Sequence, residues 1–170
     1  MRLVDFVPFV PEIFLAVAGF ALLLAAIPLG RRGIRTLSGL AVAALAGTGA
    51  LVWLLGRPDG APQQILGDML VLDQMAVYFK LLMLVASAMT IIMSAGFLER
   101  SRYGGGEYVA LILFATLGMM VMVSGANLAS LYVGLELMAL SVYVLVGYFK
   151  LDLKSNEAAV KYFVLGALSS

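Results

Sequence analysis

Residues 126–162 read ANLASLYVGLELMALSVYVLVGYFKLDLKSNEAAVKY, and this stretch decides the fold because it sets a carboxylate, Glu136, and then an ammonium, Lys161, inside apolar sequence. About ten apolar or small residues flank Glu136 on each side. A run of that length spans a bilayer as a helix at 1.5 Å per residue, and a charge in its middle is costly there.

The rest of the chain fits that solvent. Of 170 residues, 63% are hydrophobic and 12% charged, with a mean hydropathy of +1.05; soluble domains carry about 25% charged residues. The composition is that of an all-α integral membrane protein, a polytopic bundle of transmembrane helices. A net charge of +1 without a long basic run argues against a nucleic-acid partner and leaves the lipid bilayer as the surrounding medium. The chain has neither Cys nor His, which removes disulfides, thiolate nucleophiles and the commonest metal ligands. No metal and no cofactor of its own is expected.

Six spans are predicted, the last incomplete. The first covers about Val10–Leu29, with Pro8 and Pro11 at its entry, where a missing amide donor costs little, and Gly30 at its exit. Glu12 falls in its first turn, where the helix dipole favours an acid, and reads as an interfacial cap. After the basic turn Gly30–Arg35 a second run covers about Thr36–Leu55, with Gly39, Ala43 and Gly47 at four-residue spacing, a stripe suited to close helix packing. Trp53 near its end suits the headgroup level. Residues 56–73 form the one sizeable loop, and Ile65-Leu66 and Met69–Leu72 around Gly67-Asp68 suggest a short hairpin. The third span runs from about Gln74 to Leu98, with Lys80 early enough to snorkel to the interface. A fourth covers about Glu107–Val123 after Gly104–Gly106, which reads as a hinge and not as a nucleotide loop, since no strand precedes it. Asn127 is the expected N-cap of a fifth helix, about Leu128–Phe149, forming a nearly loopless antiparallel hairpin with the fourth. The sixth opens at Ser155 or Asn156, with Glu157 in its first turn.

The turns after the first, third and fifth spans hold Arg31, Arg32, Arg35, Arg100, Arg102, Lys150 and Lys154, and the opposite side only Arg2 and Arg57. By the positive-inside rule the N-terminus lies outside the cytoplasm. The chain divides into an N-terminal three-helix segment, residues 1–103 with its outer loop at about 56–73, and a second segment, residues 104–170.

The two intramembrane charges differ in kind. Glu136, near the ninth residue of its helix, has no charged residue within four positions, so any partner comes from elsewhere. Such carboxylates face a bundle interior or water and mark ion pathways; the alternative is a neutral, hydrogen-bonded structural group. Lys161 lies about five residues into its helix, where a lysine can snorkel, and Glu157 sits one turn before it in the favourable order for a pair. Spacing alone therefore leaves a structural Lys161 open.

The run Asn127-Leu128-Ala129-Ser130-Leu131-Tyr132-Val133-Gly134-Leu135-Glu136-Leu137, followed by Ser155-Asn156-Glu157-Ala158-Ala159-Val160-Lys161-Tyr162-Phe163, resembles the antiporter-like membrane subunits of respiratory complex I, the NADH–quinone oxidoreductase of bacterial cytoplasmic membranes. Where some relatives place a proline, this sequence reads Met138–Tyr143, so the resemblance carries no kink into the fifth helix. It implies that Glu136 is the fifth-helix glutamate of a proton half-channel and Lys161 the sixth-helix lysine of the pathway. It also implies that other membrane-arm subunits are partners, that NADH and quinone are substrates of the whole complex, and that the full subunit has about fourteen helices. The chain then corresponds to the N-terminal part of a longer protein. Two further readings stand beside it: a subunit of a cation/proton antiporter of the same family, and a purely structural helix bundle.

Overall fold

A computed structural model describes residues 7–29, 33–55, 63–65, 69–100 and 105–169. The helices are α1 (Val10–Leu29), α2 (Ile34–Leu55), α3 (Gln74–Arg100), α4 (Gly106–Val123), α5 (Leu128–Val146) and α6 (Leu153–Ser169), with strands β1 (Gln63–Ile65) and β2 (Leu70–Leu72) between α2 and α3. By length and apolarity α1 to α5 each suffice to cross a bilayer. The protein is a multi-pass membrane protein.

The helix interfaces follow the sequence periodicity. The buried positions of α1 include Glu12, Leu15, Gly19, Leu22 and Ala26, and those of α3 include Val77, Lys80, Leu84, Ser87, Ile91 and Leu98, steps of three, four and seven residues that keep one face inward. The remaining faces are apolar and exposed, as lipid or further protein requires. In lipid there is no water-driven gain from apolar contact, so close fit and hydrogen bonding hold helices together. Helix α4 is central: it packs on α1, α2, α3 and α5, and ten of its residues are buried.

Glycines set the closest approaches. A Cβ on Gly118 would lie 2.5 Å from the Met138 amide nitrogen, and one on Gly134 2.7 Å from that of Met122, so α4 and α5 touch backbone to backbone. A Cβ on Gly106 would lie 2.5 Å from the Ala26 Cβ of α1 and 3.2 Å from its Cα. Gly105 and Gly106 thus serve packing at the start of α4 where a hinge was expected, and Gly104 lies outside the described residues. The small-residue stripe on α2 does not make the expected helix contact: Gly39 and Ala43 are exposed, nothing lies within 4 Å of a Cβ at Gly39, and Gly47 meets only the ring of Phe14. Spacing marked the stripe, but the buried face of α2 is the one carrying Leu37, Ala41, Leu45 and Val52.

The expected hairpin forms, with β1 and β2 antiparallel and Gln63 opposite Leu72; its tip, 66–68, lies outside the described residues. It is docked on the corner between α4 and α5. The Val71 amide donates to the Ser124 carbonyl at 2.8 Å, the Ala126 amide to the Met69 carbonyl at 2.9 Å, and the Ser130 hydroxyl to the same carbonyl at 2.7 Å. Leu70 and Leu72 are buried against Phe9, just ahead of α1. Asn127 caps α5 as expected, accepting from the Ser130 amide at 2.8 Å in a reciprocal capping box. Helix α6 starts earlier than Ser155: the Asp152 side chain accepts from the Lys154 amide at 3.0 Å, which draws Leu153 and Lys154 into the helix and moves Glu157 into its second turn. Helix α5 ends earlier than Phe149, at Val146, with Gly147 as its C-cap.

Replacing Gly118 with Leu is expected to force α4 and α5 apart at a cost of about 1–3 kcal/mol or more, lowering the thermal midpoint of the purified subunit. Gly39→Ala, which meets nothing, is expected to be neutral or to stabilise by up to about 1 kcal/mol. Equal effects from the two would contradict the interface described.

Candidate functional site: intramembrane charges

Two helices that start from the same end of the bundle, α1 and α3, bring Glu12 and Lys80 together. Lys80 Nζ lies 2.5 Å from Glu12 Oε1, and the two side chains are 3% and 1% exposed. Glu12 is therefore not an interfacial cap, nor does Lys80 snorkel; each faces inward and answers the other's charge. The other carboxylate oxygen, Glu12 Oε2, is buried and has no hydrogen-bond partner among the described residues. Glu12 also lines an apolar groove of about 280 Å³ between α1, α4 and α5, shared with Phe9, Phe20, Leu117 and Leu137.

The pair was legible in part. The steps Glu12-Leu15-Gly19-Leu22 and Lys80-Leu84-Ser87-Ile91 place Glu12 on one face with Gly19 and Lys80 on one face with Ser87. Each charge also lies within reach of the interface along its own helix, and that local reading carries no sign of the other. Deeper in the core, the Ser87 and Thr116 hydroxyls lie 2.6 Å apart, joining α3 to α4, and Thr116 donates to the Ile112 carbonyl at 2.8 Å.

Glu136 sits at the middle of α5, half-buried, two residues after Gly134. Among the described residues none forms an ion pair or hydrogen bond with it. The α4 contact through Gly134 and Met138 fixes the backbone on both sides of the carboxylate. Lys161 does not meet Glu136: its ammonium lies 2.5 Å from Glu157 Oε1, and the two side chains are 69% and 64% exposed. Helix α6 has no residue buried in this chain and is held to α5 by Tyr143, whose ring stands 5.0 Å from Tyr162 and 5.8 Å from Phe163, edge to face.

The opposite end of the bundle carries an exposed and a part-buried polar contact. Arg35 at the start of α2 pairs with Glu99 at the end of α3 through two nitrogens. Just beyond α5, the Tyr148 hydroxyl donates to Glu107 Oε2 at 3.3 Å. Burial, and then the Glu107 charge, push the Tyr148 phenol up to about 12.

Comparison with known proteins points one way. Residues 125–170 match the model of a family described as NADH:quinone oxidoreductase/Mrp antiporter, transmembrane. The whole chain is 43% identical to NADH-quinone oxidoreductase subunit N of Paramagnetospirillum magneticum, of which it covers 34%. Over 136 residues, 79% of the chain, it is 51% identical to NADH-quinone oxidoreductase subunit N 1 of Koribacter versatilis, covering 27% of that protein. Over 168 residues, 96% of the chain, it is 42% identical to NADH-quinone oxidoreductase subunit N of Rhodospirillum rubrum, covering 33%. The chain thus spans about a third of the length of the curated relatives it matches. The family likeness read from Asn127–Phe163 is borne out, and it extends through α1 to α4.

Removing one member of the buried pair strands the other charge. Lys80→Met or Glu12→Met alone is expected to cost about 3–5 kcal/mol, while the double replacement by Met is expected to recover most of that loss, as read by thermal melting of the purified subunit; a double variant no better than the singles would refute the pairing. For Tyr148, the folded phenol ionises above the ordinary value of 10.0, so its stabilising share is full below pH 10 and lost as pH rises toward about 12. Ultraviolet titration is expected to show one late tyrosinate step that Tyr148→Phe removes.

Proposed function

We propose that this chain works within a proton-translocating membrane-arm subunit of NADH–quinone oxidoreductase, of the subunit N type. The observation that carries the reading is Glu136, a carboxylate at the middle of a spanning helix, inside the segment that matches the NADH:quinone oxidoreductase/Mrp antiporter family. A carboxylate there is costly, and such groups mark ion and proton paths. Glu136 takes up and releases the proton; its affinity follows the charges and water brought near it, since each pKa unit is worth about 1.36 kcal/mol. Lys161, one helix on, relays the charge once it leaves Glu157. The redox chemistry of NADH and quinone takes place elsewhere in the complex, and electron transfer there changes the field at Glu136.

The partners are then the other membrane-arm subunits and the surrounding lipid. The membrane is the bacterial cytoplasmic membrane, with the N-terminus and the β-hairpin on the outer side. Seven basic residues against two in alternate turns support that orientation. The family description also names Mrp antiporters, which keeps a cation/proton antiporter subunit as the second reading; co-purification of peripheral flavin and iron–sulfur subunits separates the two.

Glu136→Gln in the intact complex is expected to abolish proton pumping through this subunit and to slow quinone reduction with it, and Lys161→Met to lower pumping where Glu157→Gln does not. Unchanged pumping and electron transfer in Glu136→Gln would refute the assignment and favour a purely structural bundle.

A further inference from the structure

The segment matched by the family model begins at residue 125, yet the most deeply buried charges among the described residues lie well before it. Glu12 and Lys80 are joined at 2.5 Å, and one carboxylate oxygen, Glu12 Oε2, is buried with no partner among the described residues. A pair that served only to hold α1 against α3 would satisfy its lone pairs, because a desolvated, unpaired acceptor is a cost that apolar residues of similar shape avoid. What distinguishes a proton site from a latch is an acceptor position kept open.

We propose that Glu12 and Lys80 form a second proton-exchange site, in which Glu12 Oε2 takes a proton from a hydronium ion and Lys80 holds the carboxylate in place. In that step one O–H bond of hydronium breaks, an O–H bond forms on Glu12, and a water is left; no electrons move. Loss of the proton reverses it. The site lies near the hairpin end of the bundle: Glu12 is in the first turn of α1, and Lys80 is the seventh residue of α3. Phe9 both lines the groove shared with Glu12 and packs under Leu70 and Leu72 of the hairpin, so the hairpin rests on one wall of that groove. Along the same groove stands Leu137, the residue after Glu136. Among the described residues, the other charged groups on the elements packed around the pair are Asp73, which caps α3 by accepting from the Ala76 amide at 2.6 Å, Arg35 at the start of α2, Glu99 and Arg100 at the far end of α3, Glu107 at the far end of α4, and Glu136 on α5.

The proposal rests on the proton-translocating reading, and the test separates the two. In the intact complex, the Glu12→Met/Lys80→Met double variant removes both charges at similar volume. Assembly and electron transfer are expected to persist with loss of part of the protons pumped per electron; an unchanged ratio overturns the proposal. Glu136→Gln, measured alongside, decides the broader reading by itself. Should the double variant fail to assemble, Glu12→Asp keeps the charge and draws the carboxylate back by one methylene. A shifted pH profile of pumping supports the site, whereas an unshifted profile, or failure of this variant to assemble, shows a rigid latch and overturns it.

Discussion

The packing of α4 is the constraint on which the rest of the molecule depends. Lipid gives apolar side chains no reason to leave it, so helices associate only where they fit closely or exchange polar contacts. Helix α4 does both. Gly106 lets it begin against α1, Gly118 lets α5 lie on it backbone to backbone, and Thr116 meets Ser87 of α3 in its middle. Any larger residue at Gly118 moves α5, and Glu136 moves with it.

Two ion pairs show how one chemistry serves different ends according to solvent. Arg35 and Glu99 meet at the bundle's edge, the arginine side chain 84% exposed, where water and salt screen most of their attraction. They tether α2 to α3 and little else. Glu12 and Lys80 have no such screen. Among the described residues only each other's charge offsets their desolvation, which makes them interdependent, and Oε2, with no partner among those residues, leaves that offset incomplete. Incomplete satisfaction in a buried position is a feature that packing alone would remove.

Most of the fold was legible in the sequence. Apolar runs bounded by Gly, Pro and Arg place α1 to α4 within about two residues, and Asn127 with Ser130 announces the start of α5. What escaped depends on contacts between segments far apart in the chain. The outward face of Gly39 and Ala43 has the same spacing as a packing stripe, and only the neighbours distinguish them. Gly118 and Gly134 sit in runs where glycine carries no local meaning until the two helices are laid side by side. Asp152 extended α6 because its carboxylate caps an amide two residues on, a local signal that the more obvious Ser155 and Asn156 concealed. Glu12 and Lys80 each lie near a helix end, which in sequence alone reads as the interface. Their sequence separation, with α2 and the hairpin between them, gave no sign of a shared interior.

The hairpin links the two regions where charge is held. At one side Leu70 and Leu72 rest on Phe9, three residues before Glu12. At the other, Met69 and Val71 bond to Ser124, Ala126 and Ser130, which build the start of α5. A shift of α5 at its cap must therefore strain the hairpin's bonds or carry the hairpin along, and the hairpin cannot move without disturbing Phe9 and the groove that Glu12 shares with Leu137. Mechanical continuity of this kind does not by itself make a coupling; for that each end needs two states that both bias one element. The proposed protonation of Glu136 and of Glu12 would supply the states, and the hairpin, bonded through its backbone to α5 and through its side chains to α1, is the element whose position both would set.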